Sequence, residues 1–123
     1  MKQILLVFIG GGLGSAARYS ISKWIHTSES TIPYGTFSVN VIGSLFIGLI
    51  LGYSLRNNMM SQSMILLLAT GFCGGFTTFS TFAYENQVFL KNGDFLNFGI
   101  YTISSFILAF IAVFLGLWIA KAF

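Results

Sequence analysis

The sequence has few charged residues, and this scarcity excludes most kinds of soluble protein. Only 7% of its 123 residues are charged and 55% are hydrophobic, whereas soluble domains carry about 25% charged residues. A chain this short cannot bury so much apolar surface in its own interior, because small domains have a high ratio of surface to volume. The apolar surface therefore needs a second apolar environment, and a lipid bilayer supplies one.

Cysteine, proline and histidine are equally scarce, with one of each. A lone cysteine, Cys73, excludes an internal disulfide framework. Without a cluster of His, Cys and carboxylate residues there is no metal set or nucleophile–base pair to assign, so an enzyme is not expected. The six basic residues are scattered singly, which predicts no nucleic-acid partner.

Long uncharged stretches indicate membrane spans. Residues 30–55, 57–84 and 95–120 contain no Asp, Glu, Lys or Arg, and about 20 apolar residues of helix cross a bilayer core. With the apolar N-terminal segment, they predict an all-α membrane protein of four transmembrane helices in a single domain, residues 1–123. The predicted spans are residues 4–25, 35–55, 64–90 and 97–120, joined by loops at 26–33 and 56–63 and by a turn at 91–94.

The first segment allows two other interpretations. A cleaved signal peptide would also begin with a basic residue and an apolar run, but the segment is long, glycine-rich and lacks a convincing cleavage site. Residues 12–17 match a dinucleotide-binding fingerprint, which requires a strand, a helix and a surrounding parallel sheet. No such pattern follows, so a membrane helix is favoured.

Glycines four residues apart recur in three of the predicted spans. The pairs are Gly10 and Gly14, Gly48 and Gly52, and Gly71 and Gly75. Small residues at this spacing let two helix backbones approach closely in a membrane. The sequence therefore predicts a compact bundle, with room for an assembly larger than one chain.

The basic residues give little instruction about orientation. An even number of spans places both termini on one side. Lys2, Arg56 and Lys121 then lie on that side, with Lys23, Lys91 and Arg18 on the other. Because the Lys and Arg imbalance sets orientation, an equal count leaves two hypotheses open: one fixed orientation, or oppositely oriented copies paired about a two-fold axis in the membrane plane.

The third span carries the most distinctive chemistry. Two adjacent glycines, Gly74 and Gly75, precede four hydroxyl residues, which are Thr77, Thr78, Ser80 and Thr81. Glycine weakens a helix, and Ser and Thr side chains compete for its backbone partners. This pattern predicts a helix break near the bilayer midplane, which is tolerated only inside protein or beside water. Carbonyls freed by such a break can bind a cation such as sodium.

Hydroxyls and phenyl rings alternate around the predicted break. Thr77, Thr81 and Glu85 recur at helical spacing, and Phe76, Phe79 and Phe82 recur every three residues. Phenyl edges are positive and hydroxyls donate hydrogen bonds, so together they can replace the hydration shell of a small anion. The alternative is that the rings face lipid or core and the hydroxyls bond to their own helix.

Other polar residues in the spans have two interpretations each. Asn40 is either an anion-binding amide or an interhelical hydrogen-bonding group. Tyr101 and Ser105 share one face of the fourth span and can extend the polar path. Arg18 and Lys23 either attract anions to a pore mouth or extend to the membrane interface.

Three motifs together resemble the Fluc fluoride channels, also called the CrcB family. They are Gly-Phe-Cys-Gly-Gly-Phe-Thr-Thr-Phe-Ser-Thr-Phe at 71–82, Gly-Thr-Phe-Ser-Val-Asn at 35–40 and Gly-Gly-Leu-Gly-Ser-Ala-Ala-Arg at 11–18. The likeness extends over the whole chain in length and motif order. It implies an antiparallel, dual-topology homodimer with two pores in the plasma membrane of a microbe, through which fluoride leaves the cell passively.

The resemblance also implies a role for individual residues. The edges of Phe79 and Phe82 would face fluoride, and Asn40 would line the pore. Ser80, Thr81, Tyr101 and Ser105 would form its polar track. The carbonyls of Gly74 and Thr77, from both subunits, would hold a structural Na⁺. Arg18 and Glu85 are expected in a vestibule or at an interface, and Glu85 would meet the track at one end. Some members carry another hydroxyl where this chain has Ala109.

A small dual-topology multidrug transporter is the alternative function, because that class has a similar size and span count. It requires a carboxylate within the first span to exchange protons for cationic drugs. The first span here holds no Asp or Glu, and its only buried ionisable candidate is Arg18.

Overall fold

The computed structural model describes residues 1–26, 31–57 and 60–123. Four stretches of helix are long and apolar enough to cross a membrane. Three of them are the continuous helices α1 (Lys2–Ile25), α2 (Tyr34–Asn57) and α6 (Phe95–Ala122). The third span consists of α3 (Gln62–Ile65), a π-helical segment (Leu66–Cys73), α4 (Gly74–Phe76) and α5 (Phe79–Lys91). The prediction of four helical spans is confirmed.

Local capping groups form hydrogen bonds with the backbone at the ends of the spans. Asp94 begins α6 by accepting a hydrogen bond from the N–H of Asn97 at 3.2 Å, as N-cap carboxylates do. Gly93 precedes it with φ +72°, a conformation that glycine adopts without steric cost. This confirms the predicted turn at 91–94. Parts of the other two predicted loops, residues 27–30 and 58–59, lie outside the described residues.

Glycines permit close approach of the helix backbones at two contacts. α1 packs against the π-helical segment and α4, and α2 packs against α6. A Cβ atom added to Gly14 would lie 2.9 Å from the backbone N of Phe76, and one added to Gly116 would lie 2.5 Å from the carbonyl oxygen of Leu45. Only glycine permits backbones to approach this closely, so the prediction of small-residue contacts is confirmed.

The third span is broken, as predicted, but two residues beyond the glycines. Gly74 and Gly75 are helical, whereas Thr77 has φ −90° and ψ 157° and Thr78 has φ −150° and ψ 117°. Gly75 lies against the backbone of Gly11 in α1, so this glycine serves helix packing. The interruption falls at the two threonines, where side chains replace the helical partners of the backbone.

Candidate functional site at the broken helix

Asn40, which lies in α2, forms hydrogen bonds with the backbone at the break. Its Oδ1 accepts a hydrogen bond from the N–H of Thr78 at 2.7 Å, and its Nδ2 donates to the carbonyl oxygen of Thr78 at 3.1 Å. One side-chain amide thus satisfies both backbone groups of an extended residue, as a neighbouring strand would. The interhelical role considered for Asn40 is therefore present, and its amide lies directly at the break.

Two hydrogen bonds at the break divert backbone N–H groups from their helical carbonyl partners. In a continuous helix each N–H bonds to the carbonyl four residues earlier, so the N–H of Thr78 would serve Gly74 and that of Thr81 would serve Thr77. Instead, the N–H of Thr78 is directed to Asn40, and that of Thr81 donates to Oγ1 of Thr78 at 3.2 Å. These are the two carbonyls that the family resemblance assigns to sodium.

Thr78 begins α5 and gathers three hydroxyl groups at its N-terminus. Its Oγ1 donates to Oγ1 of Thr81 at 3.2 Å and lies 3.3 Å from Oγ of Ser80. Thr77 belongs to the other side of the break, where its hydroxyl donates to the carbonyl of Cys73 at 3.0 Å. The predicted stripe from Thr77 to Glu85 is therefore wrong, because the helix restarts between Thr77 and Thr81.

The break also separates the three phenylalanines that were expected to form one row. Phe76 lies before it and stacks on Phe72, with ring centroids 5.5 Å apart. Phe79 and Phe82 follow it, with centroids 5.8 Å apart. Phe82 is 7% exposed, whereas Phe79 is 71% exposed in the single chain. Only these last two rings therefore border the hydroxyl groups of α5.

A cavity of about 510 Å³ opens at the break. Its lining includes six residues predicted from the sequence: Asn40, Gly74, Thr77, Phe79, Phe82 and Ser105. Among the described residues the Oγ of Ser105 is buried and has no hydrogen-bond partner. Ala109 lies on the same wall and presents a methyl group there.

Glu85 lies in a second polar cluster, four residues after Thr81 in α5. Its Oε1 accepts a hydrogen bond from Tyr101 at 2.7 Å and its Oε2 accepts one from Thr36 at 2.8 Å. Tyr101 is 1% exposed, and its ring centroid lies 5.1 Å from that of Phe82. A smaller cavity of about 260 Å³ adjoins Glu85 and Thr36 near the end of α1. The carboxylate therefore lies between the break and the helix ends.

Arg18 lies at the break and not at the end of its helix. Its Nε donates to the carbonyl oxygen of Gly75 at 3.0 Å, and Oγ of Ser15 lies 3.4 Å from the same atom. Arg18 lies seven positions before the last residue of α1, Ile25. The side chain is therefore held within the bundle. Without Arg18, three basic residues remain on one membrane face and two on the other.

Thr36 and Thr78 were not assigned as site residues from the sequence. Thr36 precedes Asn40 by four residues, so the helical period places both on one face of α2. Thr78 is followed by Thr81 after a helix break, a spacing typical of an N-cap residue and the N–H that it accepts. The spacing of these residues in the sequence could therefore have indicated both as site residues.

The fold and this site define a multi-pass helical membrane protein whose polar residues surround an interrupted helix. The family model described as "CrcB-like protein, Camphor Resistance (CrcB)" matches residues 5–117 of the chain. The chain belongs to this family. The match includes the first span, and it does not favour the multidrug-transporter alternative.

Curated relatives align along almost the whole chain. A protein of Gloeothece citriformis is 52% identical over 124 residues, covering 98% of both chains. One from Chlorobium phaeobacteroides is 47% identical, covering 98% of this chain and 96% of its own. One from Phocaeicola vulgatus is 42% identical, covering 98% and 100%. All three are named fluoride-specific ion channel FluC.

Proposed function

We propose that the protein is a passive, fluoride-selective ion channel of the cell membrane. The observation that carries the proposal is the break at Thr77 and Thr78, which brings phenyl rings, hydroxyls and an amide to one cavity. The names of the relatives support the same function. Fluoride would leave the cell down its gradient, and this export would confer fluoride resistance.

The chemistry of the site suits a small anion that must lose its water. The edges of Phe79 and Phe82 offer positive electrostatic potential, and the hydroxyls of Ser80 and Thr81 can donate hydrogen bonds. None of these groups carries a full charge. Binding can therefore be strong enough for entry and weak enough for exit, as conduction requires.

The path would continue along α6 toward the second cavity. Oγ of Ser105 faces the first cavity without a partner among the described residues, so its hydrogen is available to an anion. Beyond Phe82, the hydroxyl of Tyr101 and the carboxylate of Glu85 lead to the second cavity. On the side of α1, Arg18 borders the break through its hydrogen bond to the carbonyl of Gly75.

We further propose that the functional unit is an antiparallel homodimer with two pores. In the single chain Phe79, Ser80, Thr70 and Gly74 are exposed around the break. Hydroxyls facing lipid at this depth are costly, and a second copy would cover them. The near-even distribution of Lys and Arg permits insertion in both orientations, which is what a two-fold axis in the membrane plane requires.

A structural Na⁺ fits between the two copies. The carbonyl groups of Gly74 and Thr77 lack their helical donors because those N–H groups bond to Asn40 and Thr78. A Cβ atom added to Gly74 would meet nothing within 4 Å, so this backbone is open toward the proposed partner. Uncharged carbonyl oxygens are suitable ligands for Na⁺, which would hold the two broken helices together.

Ion efflux from liposomes tests the proposed function. Purified protein is reconstituted with fluoride inside, and a fluoride electrode records release after a potassium ionophore removes the membrane potential. We expect rapid fluoride release and, in the matched experiment, no chloride release above that of empty liposomes. Fluoride release no faster than from empty liposomes would refute the channel, and equal release of both ions would refute its selectivity.

A further inference from the structure

The carbonyl group of Gly75 is also left without its helical donor at the break. Its partner in a continuous helix would be the N–H of Phe79, but the extended conformations of Thr77 and Thr78 interrupt that ladder. Two side chains of α1 replace it: Nε of Arg18 at 3.0 Å and Oγ of Ser15 at 3.4 Å. The broken helix is thus fastened to α1 as well as to α2.

The sequence of α1 places these groups where they can reach the break. Gly11, Ser15 and Arg18 lie on one face of the helix, at spacings of four and seven residues. The glycine lets the backbone of Gly75 come into contact with α1. The two donors further along α1 then lie beside the carbonyl that this contact brings in.

The chemistry of the contact favours a cation as donor. Residues 62–76 run as helix into the break, so their carbonyls form the negative end of a helix dipole. An unsatisfied carbonyl at membrane depth is costly, and a hydrogen bond from a charged group is stronger than one from a neutral group. Arg18 provides both the donor and the compensating charge.

We propose that Arg18 is a positioning residue, whose Nε–H holds the Gly75 carbonyl and thereby fixes the geometry of the helix break. It acts through the backbone and not as a free charge that collects anions at a pore mouth. Three neighbours depend on this geometry: the carbonyls of Gly74 and Thr77, and the backbone of Thr78. The transport part of the proposal rests on the proposed channel function.

Two uncharged variants separate the donor from the charge. In Arg18→Gln the side-chain nitrogen is as many bonds from Cα as Nε of arginine, so the variant keeps a donor and loses the charge. Arg18→Met has the same length and neither donor nor charge. Lys23→Met removes a charge from the exposed side of the same helix and serves as the control for long-range attraction.

Cys73 provides a readout that does not require transport. It is the only cysteine in the sequence, lies four residues before Thr77 and is 2% exposed. Reaction with a small maleimide should be slow in the wild type, Arg18→Gln and Lys23→Met proteins. We expect roughly tenfold faster labelling in Arg18→Met, since buried thiols are inert until local structure opens.

Fluoride efflux supplies the second readout. We expect Arg18→Met to lower the maximal rate of fluoride efflux about tenfold and to leave the half-saturating fluoride concentration unchanged. This is the pattern expected when the lost interaction organises the path and does not bind fluoride in the ground state. Arg18→Gln should retain most of the maximal rate. Failure of Arg18→Met to fold, beside normal folding of Arg18→Gln, would also support the proposal, because the two side chains differ in the donor and not in charge.

Two results would overturn the proposal. One is Cys73 labelling in Arg18→Met as slow as in the wild type. The other is that the glutamine and methionine variants behave alike and that both of them, together with Lys23→Met, show a raised half-saturating fluoride concentration. That result would assign Arg18 to long-range attraction of anions. A wild-type protein that conducts no fluoride would instead refute the proposed function and leave the labelling test intact.

Discussion

The side-chain amide of Asn40 forms two hydrogen bonds with the backbone of Thr78, one at each end of the amide. This pair joins α2 to the residue at which the third span is interrupted. It diverts the N–H of Thr78 from its helical partner Gly74. The amide therefore determines both where the helix breaks and which carbonyl becomes available.

Substitution of Asn40 should slow fluoride efflux. Asn40→Leu removes the acceptor of the Thr78 N–H, and losing a buried partner costs about 1–3 kcal/mol. Asn40→Asp keeps an acceptor for the N–H of Thr78, but it places a carboxylate against the carbonyl of Thr78 and repels anions, so we expect the lower rate from Asp. Ser20→Ala is the control, because Ser20 donates to the carbonyl of Ala16 in its own helix and is not among the residues that line the cavity. Wild-type efflux in Asn40→Asp would remove this residue from the path.

Glu85 and Tyr101 should be energetically coupled. Their hydrogen bond of 2.7 Å joins α5 to α6 inside the membrane, and interhelical hydrogen bonds there contribute about 0.6–2 kcal/mol. A double-mutant cycle of Glu85→Gln and Tyr101→Phe, measured by unfolding in detergent, should show a coupling energy in that range. The cycle of Glu85→Gln with Thr102→Val should show none, because Thr102 bonds to Asn86. Additive effects in the first cycle would contradict the contact.

The contact between α1 and the third span should not tolerate a larger residue. A Cβ atom at Gly75 would collide with the backbone of Gly11, whereas one at Gly12 would meet nothing within 4 Å. We expect Gly75→Ala to abolish or strongly reduce the yield of folded protein in size-exclusion chromatography. Gly12→Ala should elute like the wild type. Normal elution of Gly75→Ala would show that the two helices are further apart than described.

Removal of sodium should destabilise the proposed homodimer. A ligand that binds only the native state stabilises it by mass action, by about 2.7 kcal/mol at a hundredfold excess over its dissociation constant. We therefore expect the Tm of the purified protein to rise with Na⁺ and to stay low in choline at constant ionic strength. Equal Tm values in the two solutions would argue against a cation at the carbonyls of Gly74 and Thr77.

The number and kind of spans could be predicted from charge spacing alone, because lipid imposes a minimum apolar length. The ends of the spans differ from the prediction by a few residues. Gln62 belongs to α3 and not to the preceding loop, since Ser61 caps that helix by accepting a hydrogen bond from Met64. Such capping is local and could have been recognised. The polar residues around Ser61 instead favoured a loop in the prediction.

The position of the break could not be derived from the third span by itself. Its glycines and hydroxyls predicted an interruption, but the residue at which it occurs depends on Asn40, which lies in another helix. The restart of the helix at Phe79 then changed which side chains share a face, so the stripe that included Thr77 was wrong. Likewise, Arg18 has its partner only because the break leaves the carbonyl of Gly75 available.

The rings of Phe79 and Phe82, which lie beside the break, are proposed to face fluoride. Phe79 and Phe110 are each 71% exposed in the single chain, but Phe79 lines the cavity at the break and Phe110 is not among its lining residues. The most direct test is the fluoride efflux rate of Phe79→Ile compared with Phe110→Ile. We predict a decrease of at least about tenfold, or 1.4 kcal/mol, for Phe79→Ile alone. Equal rates in the two variants, both folded, would contradict the account.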